Sequence, residues 1–230
     1  MQRLRRIGLI IVIMAVLVGC GNTETVDPAK LAGEAATAFD AVNTFAFKLD
    51  VTEGESAPLG DIILITAEGN SVRPDKVQAK LKAKLKDAPL AVNINGIIIG
   101  ADAWITPNPF NPTVYEKLED TGGLENFSPA KGVSDMLRSI TNPKFIEEVK
   151  VNEVTTQHIN GTVDATKLNS LTGGAATAGN VQVDVWIGKD DKLVRQIVAV
   201  GKLDPSEKDT IKRTLTLSDF NKSVTIAPPN

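Results

Sequence analysis

Val77-Gln78-Ala79-Lys80-Leu81-Lys82-Ala83-Lys84-Leu85-Lys86 is the stretch on which the fold class turns. Alanine, leucine and lysine all favour helix, yet a helix here would scatter the four lysines around its circumference. Strict alternation instead puts Val77, Ala79, Leu81, Ala83 and Leu85 on one face and the lysines on the other, the pattern of a half-buried strand. The same period of two runs upstream through Phe45, Phe47, Leu49 and Val51. Gly60 to Ala67 is more uniformly apolar and predicts a strand covered on both faces. Downstream, Leu90 to Gly100 and Ala103 to Thr106 continue the strand pattern, with a turn or bulge expected near Asn95-Gly96. Pro107, Pro109 and Pro112 interrupt it before a short strand at Val114–Leu118.

Helical periods flank this strand-rich block. Asp27-Pro28 reads as an N-cap with proline at the first helical position, and Leu31, Ala35, Phe39 and Val42 share one face of a helix to about Asn43. Ser128-Pro129 opens a second helix with the stripe Val133, Met136, Leu137 and Ile140. Asn142-Pro143 predicts a further short helical piece through Glu148. Strand character returns at Thr155–Val163, and Asp164 is placed to cap a short helix over Ala165–Leu171. Thr172 to Asn180 is a small-residue loop, either an inert connection or a lid. Val181–Gly188 and Leu193–Leu203 form a hairpin around Lys189-Asp190-Asp191-Lys192, and Lys212–Ser218 and Val224–Ala227 supply further strands. Sequential hairpins require antiparallel pairing, so the fold class is α+β with helices on one face of the sheet.

The N-terminus carries a different signal. Arg3, Arg5 and Arg6 precede a 12-residue apolar run, Ile7 to Val18, too short for a stable span, which takes roughly 20 residues. It ends in Leu17-Val18-Gly19-Cys20, which looks like a bacterial lipobox whose cysteine is acylated. Residues 1–19 are read as a lipoprotein signal peptide, 20–27 as a lipidated tether and 28–230 as one domain, extracytoplasmic and held to the membrane through Cys20. Loss of Arg3, Arg5 and Arg6 takes the 25 basic residues to 22 against 28 acidic ones, net −6. That balance argues against a nucleic-acid partner. Seven Phe, two Trp and one Tyr leave an interior of aliphatic side chains, compatible with an ordinary core or a smooth cavity.

No catalytic constellation is legible. His158 is the single histidine and parity gives it polar neighbours, so it reads as a surface or rim residue. Neither a Walker loop nor Gly-x-Ser-x-Gly is present, and no spacing suggests a metal site, so no catalytic residue, metal or cofactor is expected. Glu147-Glu148 and Asp190-Asp191 read as solvated charge. The lysine ladder is either a strip for anionic headgroups or a solvent face that discourages edge-to-edge pairing. Trp186 lies on the face opposite Val181, Val183, Val185 and Ile187, which implies a strand covered on both sides or a tryptophan under a loop.

Val181-Gln182-Val183-Asp184-Val185-Trp186-Ile187, Asp191-Lys192-Leu193-Val194-Arg195, Thr216-Leu217-Ser218-Asp219-Phe220-Asn221 and the ending Val224-Thr225-Ile226-Ala227-Pro228-Pro229 resemble the LppX/LprAFG lipoprotein family. The lipobox, the helix around Met136 and Gly161-Thr162-Val163-Asp164 fit the same likeness, which covers essentially the whole mature chain. It implies a strongly bent antiparallel sheet, a half-barrel, with helices on its concave face enclosing a hydrophobic cavity for multi-acyl lipids. It also implies a monomeric, non-enzymatic carrier of glycolipid, phospholipid or triacylglycerol through the envelope, in some members with a major-facilitator transporter. The residues expected to line the cavity are Leu49, Ile63, Ile65, Ile98, Met136, Leu137, Ile140, Val183 and Val185. The alternative is an anchored sensor or accessory interaction module with the same sheet and a filled core.

Overall fold

The computed structural model describes residues 25–229, apart from 89, 109, 110 and 178. Cys20 and the signal segment 1–19 lie outside the described residues.

The alternation read from the sequence becomes the inner meander of one sheet. β1 (Thr44–Thr52), β2 (Ile62–Val72), β3 (Lys76–Leu85), β4 (Ala91–Ile99), β5 (Asp102–Ile105) and β6 (Glu116–Lys117) pair in sequence, each antiparallel to the last. A second meander runs β7 (Thr141–Val151), β8 (Val154–Asp164), β9 (Asn180–Gly188), β10 (Val194–Val200) and β11 (Lys212–Ser218). The two join where β1 pairs with β11, from Ala46↔Ser218 to Thr52↔Lys212, giving eleven strands in the order β6-β5-β4-β3-β2-β1-β11-β10-β9-β8-β7. The sheet is curved and unclosed, and the α+β class stands.

Among the described residues three helices accompany it: α1 (Pro28–Asp40), α2 (Pro129–Ser139) and α3 (Asn169–Thr172). Asp27 caps α1 as its sequence predicts, its carboxylate accepting from the N–H groups of Ala29 and Lys30. Asp164 likewise accepts from Thr166 N–H and opens a 3-10 turn over Ala165–Leu168 that leads into α3. Leu31, Ala35 and Phe39 of α1 and Val133, Met136 and Leu137 of α2 join one buried cluster with Phe45, Ile159, Val183, Val185 and Ile187 of the sheet. This is the helix face; the other is the open face. The approach is close: a Cβ at Gly161 of β8 would come within 2.4 Å of Ile140 Cγ2, and one at Gly132 of α2 within 2.5 Å of Leu171.

Several expectations are corrected. Residues 142–148 are not helical but part of β7, an edge strand that bulges beside Asn142, whose φ is +50°. Asn95-Gly96 is no turn: β4 passes straight through it, paired with Lys80 and Ala79. Residues 224–227 form no strand. The strand expected at Val114–Leu118 shrinks to the two residues of β6. β2 is half-buried rather than covered on both faces and carries a bulge between Leu64 and Thr66. Because β3 is bonded to β2 and β4 on either side, the lysine ladder guards no edge.

Candidate functional site

One transverse row of side chains crosses the helix face of nine strands: Phe145, Ile159, Val185, Ile197, Leu215, Leu49, Ala67, Leu81 and Ile94, each beside the next by register. Its two ends are treated differently. Ile159 and Val185 are wholly buried beneath the helices, whereas Leu215, Leu49, Leu81 and Ile94 are only partly covered. The row holds no titratable side chain. At its open end it is an apolar trough, suited to hydrocarbon.

The anticipated residues divide along the same line. Leu49 lies in the trough, and Ile98, beside Val77 and Ala103, packs partly covered on the same face. Ile140 leaves α2 and rests over Gly161. Met136, Leu137, Val183 and Val185 are fully buried in the helix–sheet core. Ile63 is in register with Lys84, on the open face, and Ile65 is the extra residue of the β2 bulge. Leu64, which pairs with Ala83, takes the helix-face position instead. A one-residue bulge reverses facing along a strand, which is why Ile63 and Leu64 face as they do. Leu81, Leu215 and Ile94, outside the expected set, share the row with Leu49.

Polar chains hold the frame around the trough. Arg73, at the end of β2, donates from Nε to Val42 O (2.7 Å) and from Nη2 to Phe39 O (3.0 Å) and Ala130 O (3.2 Å), tying the C-terminus of α1 to the start of α2. Asp40 binds Arg138 across the same helix pair. Burial pulls its carboxyl upward, but hydrogen bonds from Arg138 and Ser134 and the charges of Arg138 and Arg73 outweigh this and hold it below the usual range. At the other end Glu207, 3% exposed, pairs with Arg213 and accepts from Ala57 N–H and Leu203 N–H, both at 2.8 Å. With its lone pairs so occupied, a buried carboxylate is tolerated.

On the open face His158 is more covered than a rim residue. Its side chain is 12% exposed, its ring stacks on Trp186 at 4.3 Å, and Nε2 lies 2.7 Å from Asp184 Oδ1. Register explains both residues at once, since His158 and Trp186 are direct cross-strand neighbours. Glu147 and Glu148 are exposed on β7, as solvated charge should be, with Glu148 held by Lys189. That ion pair, with the amide of Gln157, sets the Glu148 carboxyl below its ordinary value.

The sequence profile of the LppX_LprAFG lipoproteins matches residues 27–226. A protein named lipoarabinomannan carrier protein LprG from Mycobacteroides abscessus is 28% identical over 97% of this chain and 97% of its own. Its namesake from Mycolicibacterium hassiacum is 26% identical over 94% of this chain and 93% of its own. Among solved structures, LprF from Mycobacterium bovis superposes with a TM-score of 0.66 at 15% identity, covering 88% of this chain and 96% of that one. Mycobacterium tuberculosis LppX gives 0.59 at 19% identity, covering 88% and 100%. At these identities the two structures establish a shared fold.

Proposed function

The chain belongs to the LppX_LprAFG lipoprotein family, and from that premise we propose that it carries acylated lipids, their chains laid against the half-covered end of the helix face. The observation that supports this best is the strip Leu215, Leu49, Leu81 and Ile94, partly exposed on either side of the buried Ala67 and continuous with a packed core. An acyl chain that covers such a strip gains about 0.8 kcal/mol per methylene removed from water. Leu64, Ile98 and Ile140 would extend the lining, while Met136, Leu137, Val183 and Val185 form the packed wall behind it. Loading is passive and needs no covalent step.

The names of the two curated relatives favour a glycan-bearing lipid as cargo. In this reading Cys20 is acylated after removal of residues 1–19, and the 20–27 tether keeps a monomeric domain within reach of the membrane that supplies the lipid. A single chain gives only marginal anchoring, so more than one acyl group is required at Cys20. Delivery into or out of the carrier would fall to a transporter of the major-facilitator type.

The test is native mass spectrometry of the full-length lipoprotein released gently from lipid-rich membranes, with the cargo identified after solvent extraction. The covalent anchor survives extraction and the cargo does not, which separates the two. A stoichiometric diacyl or triacyl lipid, largely lost in Leu81→Trp and Leu49→Trp, is the expected result. A cargo-free mass that also takes up neither added glycolipid nor triacylglycerol would overturn the reading.

A further inference from the structure

The open face carries a hollow of about 600 Å³ that the lipid reading leaves unused. A twisted sheet is saddle-shaped, so its second face is hollow along the other diagonal. The floor is built by register. Thr216, Lys48, Glu68, Lys80 and Asn95 stand side by side across β11, β1, β2, β3 and β4. Strand spacing of about 4.8 Å makes that floor about 19 Å across. A second row, Ser218, Ala46, Asn70 and Gln78, lies next to it. Tyr115, also part of the lining, arrives from the segment that follows β5. Two described points of that segment are tied to β4: Asn95 Nδ2 donates to Pro112 O (2.9 Å), and Asn95 N–H donates to Thr106 Oγ1 (2.9 Å).

Three features of this hollow point to one ligand chemistry. The side chains of Glu68, Asn70, Gln78, Lys80, Thr216 and Ser218 make no hydrogen bond or ion pair among the described residues, so their capacity faces the hollow unspent. Charge is balanced, with Lys80 opposite Glu68 and Lys48 held by Asp50 at 3.0 Å, which suits neither a polyanion nor a polycation. The remaining inventory is carboxamides, hydroxyls and one phenol ring. Carboxamides offer a donor and an acceptor side by side, matching vicinal hydroxyls, and a tyrosine ring offers a flat apolar surface with a polar tip.

We propose that this open-face hollow is a saccharide-binding site that takes a neutral oligosaccharide, with Asn70, Gln78, Glu68 and Lys80 reading its hydroxyls and Tyr115 bearing on a sugar ring. It is separate from the lipid trough, because cross-strand parity puts the two on opposite faces of the same strands. It therefore stands or falls independently of the carrier reading. Its floor is sheet and its wall is tied to β4 at two points, so the ligand meets a site already formed.

The test uses the full-length lipoprotein in phosphatidylcholine nanodiscs, free of sugar-based detergent. Tetrasaccharides of glucose, galactose, mannose and arabinose are presented one at a time, with saturation-transfer NMR for contact and calorimetry for affinity. At least one should bind, and the Asn70→Ala/Gln78→Ala double variant should weaken it about tenfold or more. Tyr115→Ala should abolish the saturation of ring protons. Leu81→Trp, on the other face, should leave sugar binding unchanged whatever it does to lipid content. Binding by none of the four sugars, or binding that survives the double variant in a protein with wild-type melting, would overturn the proposal.

Discussion

At one end of the helix-face row Ile159 and Val185 are wholly buried, and at the other Leu81, Leu49 and Leu215 are half-covered. All five are aliphatic and all stand on regular antiparallel strands, so local chemistry does not separate them. What separates them is where α1 and α2 sit. The cluster that takes in α1 and α2 holds Ile159 and Val185 as buried members, whereas Leu49, Leu81 and Leu215 pack against it only partly buried. Burial along this row is thus set by helix placement over a largely apolar face.

The comparison can be broken most decisively by truncation on the same row. Ile159→Ala should lower unfolding free energy by about 3 to 4 kcal/mol, since it leaves a cavity in a packed core. Leu81→Ala should cost about 1 kcal/mol, because its side chain already meets solvent. Chemical denaturation measures both, and equal costs would mean the two ends are one core. Next in size, Arg73→Met removes three hydrogen bonds to helix-terminal carbonyls and should cost about 2 kcal/mol. It should also raise amide exchange in α1 and α2 without touching β2 to β4. The smallest effect is acid sensitivity. The Asp40 carboxyl is held below its ordinary value in the folded state, so its contribution is present above the unfolded pKa and disappears as pH falls through the folded one. Asp40→Asn should therefore show a smaller loss of melting temperature than wild type on going from about pH 5 to about pH 3.

Much of the frame was legible because period reports burial wherever one face is covered. β3, the β9–β10 hairpin and both main helices follow their patterns closely. β7 was not legible, since it is a largely exposed edge strand with Phe145 packed against the core and two bulges that break its alternation. Ile146 and Val149 stand exposed on it, and Asn142-Pro143 imitates a helix start. Residues 224–227 have strand-like chemistry but join no ladder, with Ile226 buried. Of the expected lining, Leu49 and Ile98 stand on the helix face, whereas Ile63 faces away and Ile65 sits in a bulge that no composition announces. The open-face hollow was beyond sequence altogether. Its floor is assembled by register from residues as far apart as Lys48 and Thr216.

Every strand pair in this sheet but one is a neighbour in sequence; the exception is β1 with β11, which joins Ala46 to Ser218. Each meander can zip from its own hairpins, but the seam between them waits on a loop closure that grows costlier with the intervening length. That single pairing is therefore the longest-range closure the sheet requires. Either strand left without the other would present a bare edge open to wrong partners.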